Sequence, residues 1–102
     1  MMQAMTRLDI GATIARAAPE LRAAGLAAIY LFGSQARGDA RANSDIDLLF
    51  DVVDDWNFSL LDQASLMVRL ESILGRKVDF IERRALRPRI RERIELEMVK
   101  LL

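Results

Sequence analysis

LFGSQARGDARANSDIDLLF, residues 31–50, is the stretch on which the reading of the fold turns. An apolar run stops at Gly33-Ser34. A small polar segment bearing Arg37 and Arg41 follows. A second apolar run then opens on Asp45 and Asp47. Residues 26–32, LAAIYLF, end at the glycine and read as a buried strand. Ser34 to Arg37 can start a short helix, and Gly38 to Ser44 is turn-like. Asp45 to Val53 reads as a second strand. Alternation puts Ile46, Leu48 and Phe50 on one face and Asp45, Asp47, Leu49 and Asp51 on the other.

Upstream, Thr6 to Asp9 has capping-box spacing, and Ile10, Ile14, Ala17 and Leu21 continue it with helical period. Pro19 either kinks that helix or starts a second short one, and Gly25 is a helix stop. Downstream, Asp54 to Phe58 is a loop. Ser59 to Asp62 is a second capping-box spacing, and a helix carrying Leu66, Met67, Leu70, Ile73 and Leu74 stops at Gly75. KVDFIE, residues 77–82, alternates as a third strand, with Asp79 and Ile81 sharing a face. Leu86-Arg87-Pro88 begins a last helix to about Leu96, after which Met98 to Leu102 either pairs as an edge strand or frays. The expectation is an α/β (α+β) chain: one small sheet flanked by helices, in the order α-β-α-β-α-β-α with a possible terminal strand.

The 102 residues fit a single domain spanning 1–102, and 52% apolar content can build a small core. Zero formal charge argues against a general grip on nucleic acid, so no direct nucleic-acid binding is expected. The exception in charge distribution is six arginines between Arg83 and Arg93, a run that is usually solvated. No cysteine is present, which excludes disulfides and thiolate metal sites and suits a reducing cytoplasm. No histidine is present, so catalysis would run on carboxylates, hydroxyls, Lys/Arg and backbone. A bound metal would have oxygen ligands and be a hard cation such as magnesium. No long apolar block indicates a signal peptide or membrane span, and a cytoplasmic location without membrane association is expected.

Strand alternation brings Asp45 and Asp47 to one face, roughly 7 Å apart at the backbone. Two such anions raise each other's pKa unless a cation sits between them. A pair of magnesium ions sharing them would align an attacking and a leaving oxygen for phosphoryl or nucleotidyl transfer. Asp79, on a neighbouring strand, is a candidate third ligand. The plain alternative is that acidic residues at strand ends mark the water boundary, as Asp51, Asp54 and Asp55 are expected to do. Gly33 removes a side chain where a phosphate must approach the backbone, and Ser34 adds a hydroxyl; a turn with an N-cap would look the same. Arg37 and Arg41 either neutralise a triphosphate or are solvated. Ser44 caps or orients the loop before the Asp pair.

As an ordered set, Gly33-Ser34, ten residues, Asp45-x-Asp47 and then a strand Asp after a helix resemble the nucleotidyltransferase superfamily of DNA polymerase β. Within it, the quoted stretch is similar to the minimal nucleotidyltransferases of bacteria and archaea, and VDFIE to the segment carrying their third carboxylate. The resemblance covers nearly the whole chain and implies a polymerase β-like fold with a mixed sheet. It implies that Gly33 and Ser34 hold the terminal phosphates of a nucleoside triphosphate, ATP by family expectation. It implies that Asp45 and Asp47 bind two magnesium ions and that Asp79 binds the one that activates the acceptor hydroxyl. It further implies a partner: a helical HEPN-type ribonuclease toxin, AMPylated on a tyrosine, with this chain as its antitoxin. Two other readings stay open: an antitoxin that acts by contact alone, and a nucleotidyltransferase with a small-molecule or RNA acceptor. The arginine-rich last helix and Trp56 with Phe58 are compatible with partner binding.

Overall fold

The computed structural model describes residues 6–38, 40 and 44–102. Helix α1 (Arg7–Ala23) starts where Thr6 and Asp9 exchange hydrogen bonds, Asp9 N donating to Thr6 Oγ1 at 3.2 Å and Thr6 N to Asp9 Oδ2 at 3.0 Å. It runs through Pro19 as one helix. The carbonyl that Pro19 cannot bond belongs to Ala15, an exposed residue, so water can take the lost partner's place. Strand β1 (Leu26–Phe32) follows, then the five-residue helix α2 (Gly33–Arg37) and strand β2 (Ile46–Val52). Helix α3 (Leu60–Leu74) is capped by Ser59 and Asp62 in the same reciprocal way and stops at Gly75 in the left-handed region. Strand β3 (Val78–Glu82), a 3₁₀ turn (Arg83–Ala85), helix α4 (Pro88–Glu95) and strand β4 (Val99–Lys100) complete the chain. The tail therefore pairs rather than frays.

The sheet order is β3-β2-β1-β4. Strands β2 and β3 are parallel, while β1 is antiparallel to both β2 and β4. One face buries Ile29, Leu31, Ile46, Leu48, Phe50, Val78 and Phe80 against Ile10, Ile14 and Leu21 of α1 and Leu66, Leu70 and Leu74 of α3. Phe50 stacks on Phe80, ring centroids 4.1 Å apart, and Phe58 tilts against it at 5.4 Å. Phe58 is thus a core component, half-buried, and Trp56 remains 45% exposed with its indole over Gly25. A Cβ on Gly25 would meet that ring at 2.5–2.7 Å, and its φ of +104° favours glycine as well.

The other face of the sheet is not bare. Leu49 and Ala28 are buried on it, outside the main core. Because β3 and β4 lie at opposite edges and α1 and α3 occupy the core face, the segment from Arg83 to Met98 must cross this second face. Arg83 ties the crossing down. Its Nε donates to Asp51 Oδ1 at 2.9 Å and its NH1 to Glu95 Oε2 at 2.6 Å, while its guanidinium carbon stands 5.6 Å from the Tyr30 ring centre. Tyr30 donates its hydroxyl to Asp51 Oδ2 at 3.0 Å. Asp51 is therefore an anchor, not a water-boundary residue, and Arg83 departs from the solvated behaviour expected of the arginine run. Among the described residues, no helix is long and apolar enough to cross a membrane.

Candidate active site

The parallel register of β2 and β3 places Asp47 directly opposite Asp79, and the antiparallel register of β1 and β2 places Asp47 opposite Phe32. Asp47 thus sits between the third carboxylate on one side and the end of β1 on the other. The next residue, Gly33, has φ +73°, and its backbone lies against the Asp47 side chain. A Cβ there would collide with Asp47 Oδ2 and come within 3.1 Å of its Cγ. The glycine is required twice, for the left-handed turn and for the close approach. Phe32, at the N-cap of α2, supplies no side-chain acceptor for the first amides. Arg7 fixes the far end of α2 by donating from NH1 to Ala36 O at 3.2 Å.

The electrostatics follow from this packing. Asp47 is pushed up to about 6, first by burial, then by its contact with Asp79 and the charges of Asp79 and Asp45; Arg37 pulls in the opposite direction. Asp47 and Asp79 converge, and Asp45 acts from an exposed position just before β2. Among the described residues, no three acidic side chains stand close enough to form a ready-made metal cage. Asp47 and Asp79 make direct contact, and Asp45 acts on Asp47 through its charge.

Of the other candidates, Ser34 is half-buried at the start of α2 and Ser44 is half-buried before Asp45. Arg37 faces the carboxylates closely enough to act on Asp47, and its NH1 donates to Glu97 Oε1 at 3.3 Å. Arg41 lies outside the described residues. Glu97 was not signalled by any local motif, since only the long-range return of β4 to β1 brings it to Arg37. The Arg83–Asp51–Tyr30 cluster was equally silent, although Asp51 shares its strand face with Asp47 by simple alternation.

Comparison with known proteins gives the chain's family. The nucleotidyltransferase domain family matches residues 13–101. A Methanocaldococcus jannaschii protein provisionally named a protein adenylyltransferase is 36% identical over 84 residues, 82% of this chain and 88% of that protein. Protein adenylyltransferase MntA of Thermococcus cleftensis is 36% identical over 75 residues, 74% of each chain. A solved structure provisionally described as a minimal nucleotidyltransferase is 38% identical, with a TM-score of 0.70, covering 91% of this chain and 89% of that one. A toxin–antitoxin complex solved with AMP-PNP is 26% identical, with a TM-score of 0.73, covering 90% of this chain and 72% of the other.

Proposed function

The chain belongs to the nucleotidyltransferase domain family, and from that premise we propose that it transfers AMP from ATP to a tyrosine hydroxyl of a HEPN-type toxin, as its antitoxin. The observation that carries this reading is the Asp47 carboxylate lodged between Gly33 and Asp79. It sets a left-handed glycine turn directly beside paired anions. The names of the relatives, protein adenylyltransferases, support AMP as the transferred group. A similar chain solved as a toxin–antitoxin complex with AMP-PNP supports both the nucleotide and a toxin partner.

The donor set fits magnesium. Only oxygen ligands are on offer, since the chain has no histidine or cysteine. Burial first, and then the neighbouring acids, disfavour the Asp47 charge, and a hard cation would offset both. Asp45, Asp47 and Asp79 would hold two ions, which when bound neutralise the carboxylates and polarise the α-phosphate. The chain's own residues do the rest. Gly33 and Ser34 take the terminal phosphates, and Arg37 offsets their charge, with Arg41 and Ser44 completing that side. Asp79 lies on edge strand β3, exposed, where an acceptor can reach it. The acceptor oxygen bonds to the α-phosphorus, the bond from that phosphorus to the bridging oxygen breaks, and pyrophosphate leaves. The hydroxyl proton passes to Asp79 or to water.

The test is incubation with α-labelled ATP, magnesium and the product of the adjacent reading frame. Label on that protein, lost in Asp45→Ala and Asp47→Ala, is expected. A stable complex without label would instead show neutralisation by binding alone. Label on RNA or a small acceptor would move the chain to the third reading.

A further inference from the structure

Glu97 occupies an unusual place for an acidic residue. It lies in the turn between α4 and β4, where its own N–H and that of Met98 both donate to Ile94 O, at 3.0 and 2.9 Å. Two residues later Val99 pairs with Leu31, and Leu101 N donates to Ile29 O at 2.8 Å. The sheet therefore fixes the Glu97 backbone beside the strand that leads into Gly33. From there its carboxylate accepts from Arg37, which lies one helical turn beyond Ser34 and acts on Asp47. A site where Asp79 and Asp45 already act on Asp47 thus has a further carboxylate in contact with its nearby arginine.

We propose that Glu97 is a stand-in anion that holds Arg37 at the rim of the phosphate turn and gives it up to the terminal phosphates of the incoming triphosphate. This rests on the nucleotidyltransferase reading and assigns Glu97 the setting of triphosphate affinity. The exchange is favourable on elementary grounds. The Arg37–Glu97 pair spans 3.3 Å between side chains 48% and 37% exposed, a kind of pair that contributes little. A triphosphate offers Arg37 several charged oxygens and the chance of a two-pronged contact. The Glu97 backbone stays in its turn before β4, so when Arg37 moves to the phosphates this contact is lost next to added negative charge. The structure thereby keeps Arg37 oriented in the absence of nucleotide while lowering the affinity gained when nucleotide arrives.

Calorimetric titration of magnesium with AMP-PNP, and separately with AMP, into wild type, Glu97→Gln, Arg37→Gln and the double variant tests this. Glu97→Gln should bind AMP-PNP about two- to five-fold tighter than wild type, with AMP unchanged, and the gain should vanish in the Arg37→Gln background. Equal or weaker AMP-PNP binding by Glu97→Gln overturns the exchange. So does a gain that survives without Arg37, which would reduce Glu97 to a source of general repulsion. Absence of binding by wild type and all variants overturns the nucleotide reading and the exchange together.

Discussion

Asp47 is the residue at which stability and the proposed chemistry oppose each other. Burial and two neighbouring acids raise its pKa to about 6, so the fold favours its protonated form. The sign follows from linkage. The favourable contribution is complete below the unfolded value near 3.8 and is lost as pH rises through about 6. Asp47→Asn should therefore raise the melting temperature of the metal-free protein at pH 8, leave it nearly unchanged at pH 4, and abolish transfer. Thermal unfolding in EDTA at the two pH values checks this; equal effects at both would mean that burial and the neighbouring acids do not disfavour the Asp47 charge in the folded protein. Gly33→Ala should act in the opposite sense on stability. Its Cβ meets the same carboxylate in a left-handed backbone conformation, at a cost of about 1–2 kcal/mol from the backbone alone. Urea unfolding would measure it, and nucleotide transfer should be lost with it.

At the scale of elements, most of the architecture was legible because its signals are local. Both reciprocal caps, the Gly75 stop, the apolar strand ending at Gly33 and the alternation of β2 are written within a few residues each. Ser59→Ala should accordingly cost about 1 kcal/mol in denaturant unfolding, whatever happens at the active site. The crossing segment was not legible in the same way. Whether residues 98–102 pair or fray depends on β1 being available at the far edge of the sheet. Whether Arg83 is solvated depends on Asp51, thirty-two residues away in sequence. Arg83→Gln removes the donor to both Asp51 and Glu95, side chains that are largely shielded from water. Loss of a hydrogen bond to a charged group predicts a destabilisation of about 1.5–3 kcal/mol. Hydrogen exchange should show it first in α4 and β4, the elements that Arg83 ties down. Protection lost evenly across the sheet would mean that the cluster supports the whole fold instead.

Taken as a whole, the molecule divides its two sheet faces between separate tasks. One is filled by α1 and α3 and supplies the core. The other carries Asp47 and Asp79, the α4 crossing and the Arg37–Glu97 link. The order Gly33-Ser34, Asp45-x-Asp47, Asp79 made the site readable as a set, because strand registry converts that order into proximity. That the three acids do not form a closed cage among the described residues was not readable, since spacing fixes the backbone and not the side chains. Magnesium should therefore stabilise the protein more at pH 8 than at pH 5, where protonation of Asp47 already relieves part of the repulsion. Melting curves with and without the ion at each pH measure that difference. These three acids and the Gly33 turn are proposed to form one cation-dependent nucleotide site. Manganese, as a paramagnetic substitute for magnesium, tests it directly in an amide NMR spectrum recorded with AMP-PNP. Selective broadening is expected at residues 33–34, 45–48 and 78–80. Broadening centred instead on Asp54 and Asp55, or none at all, would contradict it.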